Sequence, residues 1–209
     1  MRKLGWTAAA LTLAFALAGC VGGDGGGHGP PPAPFVADIL SDTRIDGDID
    51  SAGTVTTGAG DVLAGVDPGP GPTAGREYRG FLSFPLTSVP ANADVRFASL
   101  ELFVVDLAPL LATPFTIDLV SFAPPLLPTD YDDAHLPPLL SRNVDIFPRD
   151  VGTTVAIDVT PLVQEAFFQG LLNGQFRLLL DVNENVGLMT IDDPLSTTAT
   201  APLLHIEYF

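Results

Sequence analysis

Arg76 to Asp106 reads REYRGFLSFPLTSVPANADVRFASLELFVVD, and its two-residue periodicity decides the fold class. Leu82, Phe84 and Leu86 fall on one face of a first strand. Ala98, Leu100, Leu102 and Val104 fall on one face of a second, with Ser99 and Glu101 opposite. Such alternation marks strands with one buried face. Pro90-Ala91-Asn92-Ala93-Asp94 between them is a cluster of turn formers that ends one strand before the next begins.

Working outward, the alternation recurs. Phe35 to Leu40 reads as a first strand, Val62, Ala64 and Val66 alternate within Gly53 to Val66, and Phe115, Ile117 and Leu119 alternate with Thr116 and Asp118. Val155, Ile157 and Val159 continue the pattern. Phe176, Leu178, Leu180 and Val182 oppose Arg177 and Asp181, and Leu204, Ile206 and Tyr208 oppose His205 and Glu207. Only after Val159 does the period change. Thr160 as N-cap, Pro161 in the first turn and Gly170 past the end frame one short helix with Leu162, Val163, Ala166 and Phe167 inward. With 21 glycines and 20 prolines in 209 residues, the chain suits many short strands joined by punctuated loops. The expected class is all-β, a jelly-roll sandwich of two antiparallel sheets with one short helix.

Met1 to Gly19 has the parts of a secretory signal: Arg2 and Lys3, an apolar run from Ala8 to Leu17, then small residues. The run is shorter than the roughly 20 residues that span a bilayer as a helix. Leu17-Ala18-Gly19-Cys20 resembles a bacterial lipobox, and Cys20 is the single cysteine. The resemblance implies diacylation of the Cys20 sulfur and acylation of the freed amino group, and two or three chains give stable anchoring. Val21, not Asp, follows Cys20, which by the same resemblance favours the outer membrane of a Gram-negative envelope. Residues 20 to 34, with glycines and then prolines, form a tether, and residues 35 to 209 form the domain. His28 stands alone in the tether without ligand-spaced partners.

The formal charge is −16, and without Arg2 and Lys3 seven arginines face 25 acids for a net of −18. Nucleic acid is an unsuitable partner for such a chain, and anionic lipid is disfavoured. Asp42, Asp46, Asp48 and Asp50 in SDTRIDGDIDS recur at even spacing, so an extended chain projects them to one side as candidate calcium ligands, with a solvated acidic face as the alternative. Gly47 is misplaced for an EF-hand and no closing glutamate follows.

Ala123 to Asp150 is the longest stretch without clear periodicity and holds Thr129-Asp130-Tyr131-Asp132-Asp133-Ala134-His135. A tyrosine flanked by carboxylates suits glycan recognition, the ring stacking on a sugar and Asp130, Asp132 and Asp133 accepting its hydroxyls. The alternative is an Asx-rich turn whose ring packs back on the sandwich. Trp6, the only tryptophan, lies in the leader, so stacking falls to Tyr131, with Tyr78 second and Tyr208 assigned to the core. Asp132 and Asp133 are adjacent, an arrangement unlike carboxylates placed on opposite sides of a scissile bond. No Ser/His/Asp arrangement, thiol nucleophile or phosphate loop is legible.

The hairpin stretch, with AIDVTPLVQEAF, GQFRLLLDVNEN and APLLHIEYF, resembles the DNRLRE, or disaggregatase-related, β-sandwich modules over most of residues 35 to 209. The resemblance implies a jelly-roll on a secreted or surface protein, and glycan binding, since some relatives are classed as carbohydrate-binding modules. It carries over no binding residue. The expectation is a non-catalytic, lipid-anchored envelope protein that binds glycan, or alternatively a structural or adhesive module contacting protein.

Overall fold

The computed structural model describes residues 32–194 and 198–209. Cys20, His28 and the tether as far as Pro31 lie outside them. The domain, Ala33–Phe209, is an all-β sandwich with a single α-helix. Its strands are β1 (Phe35–Leu40), β2 (Gly47–Asp50), β3 (Val55–Thr57), β4 (Asp61–Val66), β5 (Glu77–Pro85), β6 (Val95–Ala108), β7 (Thr113–Val120), β8 (Leu140–Ile146), β9 (Thr153–Asp158), β10 (Asn173–Leu180), β11 (Gly187–Asp192) and β12 (Leu203–Tyr208), and α1 spans Thr160–Phe168. All pairings are antiparallel.

The strands run in the order β1-β12-β6-β11-β4-β5-β10-β7-β8, with β2 and β3 added beside β5 and β9 beside β6. The two layers expected as separate sheets are therefore one hydrogen-bonded ribbon curled over itself. Its corner is the narrow β4–β5 seam, where Gly65 faces Tyr78 and Val66 faces Glu77. Gly80 sits beside this corner because a Cβ there would stand 2.8 Å from Val62 Cγ1 and 3.0 Å from the Leu63 carbonyl. Gly65 holds φ at +115°, and a side chain would strike the Gly187 carbonyl.

The inward faces make the main core. Leu82 opposite Phe176, Phe84 opposite Gly174, Leu100 opposite Leu204 and Ala98 opposite Ile206 are the cross-strand pairs at its centre, all fully buried. Leu86 belongs to this core although β5 has ended, since Leu86–Ser88 is a 3-10 turn. Val182, expected on the inward face of the strand over 176–182, lies beyond β10 and is exposed. In α1, Leu162, Val163 and Ala166 are buried as the pattern requires. Val159, not Thr160, holds the N-cap position, and Asp158 accepts the Thr160 N–H at 2.9 Å and its hydroxyl at 2.6 Å.

A second, smaller core lies on the outer face of the layer formed by β2, β5, β10 and β7. Ile49, Phe81, Val120 and Phe122 pack there with Leu126 and Leu136, which come from the irregular excursion after β7. Phe81 and Phe122 meet edge to face at 5.7 Å. The excursion is thus a roof, and it ends in β8, a strand with no legible apolar period.

Candidate functional site

The roof holds the cluster singled out in the sequence, and the residues beneath it determine its chemistry. A cross-strand row runs from Phe81 on β5 through Arg177 on β10 and Asp118 on β7 to Ser141 on β8. On an uncovered sheet these polar side chains would face water. Under the roof, Arg177 is only 1% exposed. It donates from Nη2 at 2.6 Å and Nε at 3.1 Å to Asp118 Oδ2, and from Nη1 to the Leu136 carbonyl at 3.1 Å. The Ser141 hydroxyl donates to Asp118 Oδ1 at 2.6 Å.

Asp133 reaches down from the roof to this row. Its Oδ1 stands 2.8 Å from Arg177 Nη1 and 2.6 Å from Arg79 Nη1. Arg79 in turn donates to the Tyr131 carbonyl at 2.5 Å, pairs with Glu77 at 3.1 Å and lays its guanidinium 4.3 Å from the centroid of the Tyr131 ring. Tyr131 also packs against the second core. Burial pushes its hydroxyl up to about 12, with Glu77 as hydrogen-bond partner adding to the shift. The ring expected as a sugar platform is thus engaged by the Arg79 guanidinium and by the second core.

The remaining roof carboxylates are committed in part to the backbone. Asp130 Oδ2 accepts the Leu127 N–H at 2.8 Å, in the 3-10 turn Pro128–Tyr131. Asp132 Oδ1 accepts the Ala134 N–H at 2.8 Å, which holds its carboxyl below the usual range, and His135 stands 3.5 Å from Oδ2. The side chains of Asp132 and Asp133 remain more than half exposed. Tyr78, the second stacking candidate, is half-buried on β5 between Asp50 and Gly65, and burial raises its hydroxyl.

The four aspartates proposed as one calcium set do not act together. Asp42 forms a two-pronged pair with Arg44, Nε–Oδ1 at 2.9 Å and Nη2–Oδ2 at 2.8 Å, which lowers its carboxyl. Asp48 Oδ2 accepts the Leu63 N–H at 3.3 Å, and burial pushes its carboxyl to about 6. Asp50 accepts from the Ala52 and Thr54 N–H groups and from Arg76 at 2.6 Å; burial opposes ionisation, but these donors prevail and its carboxyl is lowered. Asp46 accepts the Ser83 N–H at 2.7 Å. Even spacing would put these side chains on one side of an extended chain, but a turn over residues 43–45 separates Asp42 from Asp46, only Asp48 and Asp50 lie on β2, and each carboxylate meets a different neighbour. Among the described residues no three His, Cys, Asp or Glu side chains converge as a metal set.

At another end of the domain lies a feature with no sequence signal. A groove of about 350 Å³ runs between the β5–β6 connection and the end of α1, lined by Leu86, Val89, Pro90, Phe167, Leu171 and Leu172. Beside it Phe168 is 83% and Leu172 75% exposed. No lining residue is charged. Among the described residues no helix is long and apolar enough to cross a membrane.

No protein-family model matches the chain, and no curated protein matches it in sequence.

Proposed function

We propose that the protein is a non-catalytic envelope module, lipid-anchored at Cys20 and directed to the outer membrane, whose sandwich serves as a structural or adhesive unit contacting a protein partner. The observation that carries this reading is the bonding of the roof. Asp133, Arg79, Tyr131, Arg177 and Asp118 form one interlocked set, so Tyr131 and Asp133, two of the groups a sugar site would use, are engaged in holding the roof to the sheet. The uncharged groove flanked by Phe168 and Leu172 supplies a contact surface of the kind protein partners use, apolar and aromatic within an acidic molecule.

Photo-crosslinking from position 168 in intact envelopes tests the partner, with crosslinks at position 168 and none from a probe at position 132 as the expected result. Crosslinks at neither position would remove the reading. Membrane fractionation tests the anchor, since Cys20→Ala should release the protein from the membrane fraction. Glycan binding is the second reading, favoured by the exposed Asp132 and Asp133 carboxylates on a fastened loop and by the resemblance to DNRLRE jelly-roll modules. A glycan array run with and without calcium separates the two, because binding lost in Asp132→Asn would favour sugar over protein.

A further inference from the structure

Three separate chain segments bring unpartnered oxygens together beneath the turn that follows β1. The first is that turn, Ser41 to Asp46, where the Asp46 N–H donates to the Asp42 carbonyl at 3.0 Å. The second is Ser83 on β5, which the turn grips: the Asp42 N–H donates to the Ser83 carbonyl at 2.8 Å, and the Ser83 N–H donates to Asp46 Oδ1 at 2.7 Å. The third is Asp193, just past β11, fixed by its N–H to the Gly60 carbonyl at 2.9 Å.

Asp46 is 1% exposed and Asp193 2%. Asp46 Oδ2, Asp193 Oδ1, Ser41 Oγ and Ser83 Oγ are all shielded from solvent, and none makes a hydrogen bond. The Ser41 hydroxyl lies near enough to both carboxyls to favour their charged forms, yet its geometry to each falls short of a bond. Among the described residues neither carboxylate is paired with an arginine or histidine. Burial pushes Asp46 up to about 8, and the nearby Asp193 charge adds to the rise. Buried polar groups are ordinarily hydrogen-bonded, and buried charges are paired or bind metal. Asp46 Oδ2, Asp193 Oδ1 and the Ser41 hydroxyl near both, with the Ser83 hydroxyl on the residue whose N–H Asp46 accepts, depart from that rule together.

We propose that Ser41, Asp46, Ser83 and Asp193 form a structural site for one hard divalent cation, calcium in preference to magnesium. Two carboxylates balance the charge of the ion, and an all-oxygen set mixing carboxylate with neutral hydroxyl suits calcium, whose coordination is flexible and is completed by carbonyls or water. Magnesium demands a near-ideal octahedron and keeps more of its water. The bound ion ties the segment after β1, strand β5 and the segment after β11 to one point. Of the four aspartates clustered in the sequence, only Asp46 belongs to this site, and the second carboxylate comes from nearly 150 residues further along the chain.

The test uses the full chain, purified in detergent and stripped with EDTA, then followed by calorimetry in calcium or magnesium chloride. One calcium per chain is expected to bind, and calcium at a hundredfold over its Kd should raise Tm by about 5–10 °C. Asp193→Asn should weaken calcium binding at least tenfold, whereas Asp48→Asn, which removes a carboxylate from the original cluster only, should keep the full response. Should Asp193→Asn fail to fold, Ser41→Ala, which deletes one neutral oxygen, takes its place with the same expected loss. Equal Tm in calcium and EDTA with no heat of binding would overturn the site in favour of a buried water or a shared proton. A full calcium response in Asp193→Asn or Ser41→Ala would overturn it by placing the ion elsewhere.

Discussion

Asp118→Ala probes the attachment of the roof to the sheet. The change removes two guanidinium–carboxylate contacts, at 2.6 and 3.1 Å, and the acceptor of the Ser141 hydroxyl, while Arg177 stays almost wholly buried. Breaking one side of a buried ion pair costs about 3–5 kcal/mol, because the partner charge is left without compensation. Arg177 keeps the Leu136 carbonyl and Asp133, so the lower end, about 3 kcal/mol, is expected. For a domain of this size that is a fall in Tm of about 6–12 °C. Urea unfolding followed by circular dichroism is the assay, since the sole tryptophan, Trp6, precedes the domain and gives no fluorescence signal from it. The paired change Asp118→Leu with Arg177→Met replaces both charges with apolar groups and should cost less than Asp118→Ala alone. If Asp118→Ala lay within about 1 kcal/mol of the wild type, or the double variant equalled the sum of the singles, the coupling between roof and sheet drawn above would be refuted.

Other consequences are as direct. Phe176→Ala, emptying a fully buried ring position at the centre of the main core, should cost about 3–5 kcal/mol in the same urea assay. Gly80→Ala should destabilise by about 1–3 kcal/mol through its contact with Val62 and the Leu63 carbonyl, and the Val62→Ala background should recover part of that loss. Asp50 and Asp158 both have lowered carboxyls, so the stability they contribute is present above the ordinary carboxylate pKa of about 3.9 and is lost as pH falls through their lower folded values. Melting curves from pH 6 to pH 2 should therefore drop less steeply for Asp50→Asn than for the wild type. Asp158→Ala should cost about 1 kcal/mol at neutral pH by freeing the Thr160 N–H at the start of α1.

Ala98 to Val104, and Leu204 and Ile206, announce their faces by period, because polar residues such as Ser99, Glu101, His205 and Glu207 occupy the opposite face. Leu82 and Phe84 announce theirs as well, although Phe81 and Ser83 opposite them are also buried. Periodicity says less where the second face is covered by a distant segment. Arg177 and Asp118 read as outward and are outward, but the excursion over residues 123–139 closes above them, and no local pattern encodes that cover. Tyr131 stands out in the sequence as the aromatic of that excursion. Whether its ring faces solvent or a guanidinium depended on Arg79, 52 positions earlier. The aspartate run from Asp42 to Asp50 shows the same limit: the turn over residues 43–45 breaks the extended chain that alternation assumes, and beyond the local Asp42–Arg44 pair the partners are Ser83 on β5, Leu63 on β4 and Arg76 before β5. Strand β8 escaped notice because Ser141, Arg142, Asn143 and Asp145 leave it no apolar rhythm.

Those same side chains give β8 a role that packing alone does not describe. It closes one end of the strand order, so one of its backbone edges has no partner strand among the described residues. An open edge is a template for intermolecular pairing. Arg142 and Asp145 set charges along β8, and at the opposite end of the order Pro34 precedes β1 without an N–H to offer while Asp38 puts a carboxylate at its middle. Copies that approach one another along β1 or β8 thus meet charges and a proline, which disfavour edge-to-edge pairing.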